Sequence, residues 1–138
     1  MMIESVNLLA VIAATIVSII IGFVWYGPLF GKAWAKEQGW SDADMEAKKK
    51  EGMVKSYGIM TIGSLVSAYI LAQFVASTNS FGAWEGAMVG FWAWLGFAAP
   101  IMLSAVLWEG KSWKLYQLNV GYQLITWLIM GAILGGWV

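Results

Sequence analysis

Four apolar runs dominate this chain, at residues 6–26, 58–76, 86–108 and 118–138. Each is near the roughly 20 residues that a helix needs to cross a hydrocarbon core about 30 Å thick. Backbone at that depth has no water to bond its N–H and C=O groups, so each run has to satisfy them internally as a helix. The expected fold is all-α, an integral membrane four-helix bundle forming one domain over residues 1–138.

The basic residues then orient the bundle. All eight are lysines: Lys32, Lys36, Lys48, Lys49, Lys50, Lys55, Lys111 and Lys114. Every one lies between runs one and two or between runs three and four. Those two connections share a face, which the positive-inside rule makes the cytoplasmic one. The chain therefore reads as a multi-pass protein of the cytoplasmic membrane, with loop 29–56 inside and both termini outside. Run one is expected to be retained, because Glu4 and no lysine precede it, whereas a cleavable signal has a positive start.

Composition narrows the chemistry. The chain is 12% charged with no net charge, about half the charged share of a soluble domain. A neutral balance gives no basic surplus for phosphates, so nucleic acid is not an expected partner. Histidine, arginine and cysteine are all absent. The commonest general base, the planar anion clamp and the thiolate ligand are missing with them. No phosphate-binding glycine loop ends in lysine and a hydroxyl residue. The reading is a non-catalytic protein with no metal and no cofactor.

Between runs one and two, Gly27-Pro28 should stop the first helix near Tyr26. Residues 29–40 are aromatic and lysine-bearing, suited to the headgroup level. Ser41 reads as an N-cap with Asp42 and Asp44 in the first turn. The pairs Asp44/Lys48, Glu46/Lys50 and Glu51/Lys55 sit four residues apart, acid first, and predict a charged connector helix on the cytoplasmic side. In run three, Pro100 cannot bond back to Gly96, which predicts a kink. Gly31-Lys32-Ala33-Trp34 and Gly110-Lys111-Ser112-Trp113 echo one another after runs one and three, as two helix pairs related by an axis along the membrane normal would.

Lipid tails are as apolar as leucine, so membrane helices associate through close packing at small residues and through interhelical hydrogen bonds. Helix one offers Ala10, Ala14, Ser18 and Gly22; helix two offers Ser64, Ala68, Ala72 and Ala76. Run three begins with Gly82, Gly86 and Gly90, and run four carries Gly131 and Gly135. Four such faces exceed what one bundle uses. A homo-oligomer or a place in a larger membrane complex is expected, with membrane lipids as the other partners.

Polar residues inside the membrane are the default site. Asn119, Gln123 and Thr126 share one face of helix four. Thir inner-half neighbours are Thr61 and Ser64 on helix two, with Ser104 and Glu109 at the end of helix three. These are expected to converge on one cytoplasm-facing polar pocket, with Glu109 at its mouth and the Pro100 bend as its roof. The function read from this is a non-catalytic, self-assembling or accessory membrane protein that binds a lipid or other apolar ligand. The alternative is a small oligomeric transporter or channel built on the same cavity.

Several motifs together resemble one family. They are Trp25-Tyr26-Gly27-Pro28 with Phe30-Gly31-Lys32-Ala33-Trp34, the stretch from Trp94 to Pro100, and Leu107-Trp108-Glu109-Gly110. Leu115-Tyr116 through Asn119, Gly121-Tyr122 and the stretch from Ile129 to Leu134 complete the set. This pattern is similar to domain of unknown function 1761, a family of small bacterial and archaeal membrane proteins. The resemblance covers nearly the whole chain and is weakest in the charged connector from Ser41 to Lys55. It implies the same four-helix membrane architecture and no assigned activity.

The orientation can be tested directly, since the chain has no cysteine of its own. In intact cells, a cysteine at Asn79 should react with an impermeant reagent and one at Lys49 should not. Labelling of position 49 from outside would reverse the assignment.

Overall fold

The computed structural model describes residues 5–39, 41, 43, 44, 47 and 54–137. Among these residues every regular element is helical. Four helical spans are long and apolar enough to cross a membrane: Leu8–Leu29, Lys55–Ser77, Ala83–Leu107 and Trp113–Gly136. The chain is thus an all-α membrane bundle, as its apolar runs require.

The first span begins as α1 (Leu8–Val24), capped by Asn7, whose side chain accepts from the Leu9 and Ala10 amides. At Trp25–Leu29 the helix widens into one π-turn around Pro28, and Gly27 leaves helical geometry altogether (φ −106°, ψ −105°). The break falls where Gly27-Pro28 predicts it. Beyond it the chain does not become a loop: α2 (Gly31–Gln38) runs on and ends at Gly39 in the left-handed region. Ser41 and Asp44 then form a reciprocal cap. The Asp44 amide donates to the Ser41 hydroxyl and the Ser41 amide to the Asp44 carboxylate. These bonds from Ser41, its backbone N–H first, hold the Asp44 carboxyl below the usual carboxylate range. Asp42, Glu46, Lys48, Lys50 and Glu51, and with them most of the expected connector helix, lie outside the described residues.

The second span, α3 (Val54–Ser77), closes in a Schellman turn. Asn79 takes φ 53°, its amide bonds Ala76 O, and the Ser80 amide bonds Val75 O. The third span is interrupted more than a single kink requires. It runs as α4 (Ala83–Ala93), a π-turn Trp94–Ala98, α5 (Ala99–Met102) and α6 (Ser104–Leu107). Pro100 opens α5, where its missing N–H costs least. The fourth span, α7 (Trp113–Gly136), is uninterrupted and starts on Ser112, whose hydroxyl accepts from the Leu115 amide.

Packing follows the small residues. A Cβ on Gly86 would fall on the Gly131 carbonyl oxygen, one on Gly131 on the Gly86 carbonyl, and one on Gly90 on the Trp127 carbonyl. Backbone therefore lies directly on backbone along α4 and α7, and the Gly82 amide even bonds Gly135 O across the pair at 2.7 Å. The second contact is a core of Ala10, Val11, Ala14, Ala68, Leu71, Ala72 and Val75 from α1 and α3, joined by Met130 and Leu134 of α7. The fourth span is thus the post that the other three lean on.

These contacts make unequal demands on glycine. Gly131→Ala puts a methyl group into backbone that cannot swing aside, an overpacking expected to cost about 1–3 kcal/mol. Gly58 has open space around its Cβ position, so Gly58→Ala should be neutral or stabilising by about 0.5–1 kcal/mol. Thermal unfolding in detergent measures both. Equal tolerance at the two positions would contradict the packing.

Candidate functional site

The two interrupted helices are built alike. Trp25 opens the π-turn of the first span and Trp94 that of the third. Both indole N–H groups donate to carbonyls of α7, Trp25 to Leu118 O at 3.0 Å and Trp94 to Val120 O at 2.9 Å. Spans one and three thus grip the fourth at one level from two sides. Gly121 makes room for the Trp25 ring, which lies 3.4 Å from where its Cβ would be. A tryptophan at the end of an apolar run ordinarily anchors the span at the membrane boundary; the hydrogen bond of Trp25 across helices has no signal in the sequence.

Below these tryptophans, toward the lysine-bearing end, a polar lock ties helix to helix. Tyr26 donates to the Asn119 side-chain oxygen at 2.7 Å. Tyr116 donates to Ala99 O at 2.9 Å; that carbonyl is free because the Leu103 amide turns to Pro100 O instead. Ser112 donates to the Glu37 carboxylate at 2.5 Å and Lys111 to the Gln38 side-chain oxygen at 3.3 Å. These last bonds fix α2 across the start of α7. Asn119 is therefore a structural acceptor, and with Ser104, Lys111 and Tyr116 it lines a cavity of about 120 Å³.

The larger space lies between α1, α3 and α7. On the side away from the lysines, α3 is packed: Ala68, Leu71, Ala72, Gln73 and Val75 are all buried. On the lysine side it stands off, and of residues 55–67 every one except Ser64 is exposed. The divergence opens a chamber of about 310 Å³ lined by Ser18, Ser64, Ser67, Tyr122, Gln123, Thr126 and their apolar neighbours. A Phe23–Tyr57 stack, with ring centres 5.6 Å apart, links the first and second spans toward the lysine end. An apolar crevice of about 220 Å³ abuts the chamber across Ser67, Trp127 and Met130; it runs between the second and third spans past Val66, Ile70, Phe74 and Phe97.

Three hydroxyls in and beside the chamber are already committed. Thr15 and Ser18 bond carbonyls of their own helix, those of Val11 and Thr15. Tyr122 reaches across to Ser18 O at 3.3 Å, its oxygen seated against Gly22. Thr126 differs. It is only 4% exposed, and its buried hydroxyl, although beside that of Tyr122, has no described atom in hydrogen-bond geometry.

The single pocket expected from the sequence is thus divided in two. Asn119 and Ser104 face one cavity, whereas Gln123, Thr126 and Ser64 face the other. Glu109 joins neither group: α6 ends at Leu107, and Gly110 turns at φ 71°, leaving Glu109 exposed in the connection. Thr61 is exposed and donates to its own helix at Tyr57 O. Of the packing residues, Ser18, Ala68, Gly86, Gly90, Gly131 and Gly135 are buried inside this one chain, and Gly22 receives Tyr122 instead of a helix.

The lock can be tested by a double-mutant cycle on Tyr26→Phe and Asn119→Leu. A coupling of about 0.6–1.7 kcal/mol, the range of hydrogen bonds between membrane helices, is expected from unfolding in mild detergent. Strict additivity would place the two side chains apart.

Comparison with known proteins adds the family. No curated protein and no solved structure matches the chain. The family model described as protein of unknown function (DUF1761) matches residues 9–135, which takes in all four spans, the paired tryptophans and the chamber. The chain belongs to the DUF1761 family.

Proposed function

We propose that this protein is a non-catalytic membrane module that holds a lipid-soluble small molecule in the chamber between α1, α3 and α7. The observation that carries the reading is the uneven packing of α3, tight over its far half and open over its lysine half. A membrane helix gains its association energy from close contact, so a half-span left apart is space kept for something else. The occupant meets hydroxyls and an amide in the chamber and hydrocarbon in the crevice. No acid–base pair lines the chamber, which supports a holding role over a chemical one. Transport coupled to a carboxylate draws no support from Glu109, which is exposed outside it.

A second reading is self-association. The expected homo-oligomer drew on glycine faces that α4 and α7 use on each other. The lysine half of α3, with Gly58, Thr61 and Gly63 exposed, is the face that remains for a second copy. In either case the protein acts in the cytoplasmic membrane with its lysine-bearing face inward.

Native mass spectrometry from lipid discs separates the two. A monomer carrying a bound small molecule is the expected result. A dimer without one favours self-association, and a bare monomer overturns both.

A further inference from the structure

We infer that the chamber takes the carbonyl-bearing end of a neutral lipid, which reaches it sideways between the second and third spans. This rests on the ligand-holding reading and names the class of ligand. The first argument is the balance of donors. The protons of Ser18 and Tyr122 are committed to backbone carbonyls, while the buried Thr126 hydroxyl, beside that of Tyr122, has no described atom in hydrogen-bond geometry. A buried hydroxyl without a partner is destabilising. The Thr126 proton can be taken up by an acceptor on a bound molecule, and in a membrane a common uncharged acceptor is a carbonyl oxygen.

The second argument is charge and depth. No side chain lining the chamber or the crevice is ionisable at neutral pH. Gln123 and Thr126 follow Lys114 by 9 and 12 residues, about 14–18 Å at 1.5 Å per residue, close to the middle of a core about 30 Å thick. A charged headgroup drawn to that level would lose its hydration without gaining a counter-ion. An uncharged oxygen would lose little and gain Thr126.

The third argument is access. Val66, Ile70, Phe74 and Phe97 line the crevice beside the chamber, and Val66, Ile70 and Phe97 are exposed where a hydrocarbon body would lie. Trp127 and Met130 form the wall common to both spaces, so one molecule can place its polar end on one side and its chain on the other. Two natural sources share this chemistry, a prenylated quinone and an uncharged acylglycerol.

The test is to extract the protein from its membrane directly into lipid discs and quantify the lipids retained per chain against the bulk membrane. A quinone or an uncharged acylglycerol should be enriched and stoichiometric, and its identity distinguishes the two sources. Thr126→Val keeps the side-chain shape and removes the hydroxyl; retention should fall about tenfold, equivalent to about 1.4 kcal/mol, with thermal stability equal or higher. Ser67→Leu, which fills the common wall without touching Thr126, should lower retention as well. Unchanged retention in Thr126→Val overturns the inference. Charged phospholipid as the only enriched species also overturns it, while leaving the holding role intact. No enriched lipid at all removes both.

Discussion

Backbone contact between α4 and α7 is the constraint around which the rest of the bundle is arranged. Glycines at 86, 90, 131 and 135 let the two helices approach until carbonyl oxygens occupy the space where side chains would start. Association of this kind needs no hydrophobic effect, which is weak between helices already in lipid; it comes from dispersion at close range. It also fixes the rotation of α7. With its glycine face turned to the third span, α7 turns Tyr122 and Thr126 toward the first and second spans, and the chamber's polar lining follows.

The third span meets a different requirement at its lysine end. Tryptophan 94, the π-turn after it and Pro100 break its ladder of backbone bonds, which in a membrane has to be repaired from outside. Tyr116 repairs one loose carbonyl, that of Ala99. The same logic holds in the first span, where Pro28 breaks the helix and Trp25, Tyr26 and α2 bind the broken end to α7. Both broken spans are therefore held, and rigidity is concentrated around α7. The lysine half of the second span has no hydrogen bond to another helix among the described bonds; the Phe23–Tyr57 stack touches it at its end, and the open volume of the bundle lies there.

Much of this was legible before any coordinates. The four spans follow from length and hydropathy, and the breaks at Gly27-Pro28 and Pro100 from the chemistry of proline. The stripe of Asn119, Gln123 and Thr126 is real as a sequence pattern, but a stripe on one helix does not say which neighbour it faces. Asn119 and Thr126 differ by seven residues, which keeps them on one face but about 10 Å apart along the axis, and that rise gives one to the Tyr26 lock and the other to the chamber. Glu109 reads as the end of the third span at the pocket's mouth, but the last helix there stops at Leu107 and the chain turns at Gly110, which leaves Glu109 exposed. Small residues read equally well as contacts within a chain or between chains; only the pairing of Gly86 with Gly131 assigns them. The divergence of α3 has no local sequence signal.

The central claim is that the second span is docked over one half and free over the other. Pulsed dipolar spectroscopy in lipid discs tests it most directly, using spin labels on α7 paired in turn with exposed positions on the two halves of α3. The account predicts a short, narrow separation to the half beyond Ala68 and a longer, broader one to the half before Ser64. Equal and narrow separations along the whole of α3 would mean that the helix is docked throughout and that there is no chamber to fill.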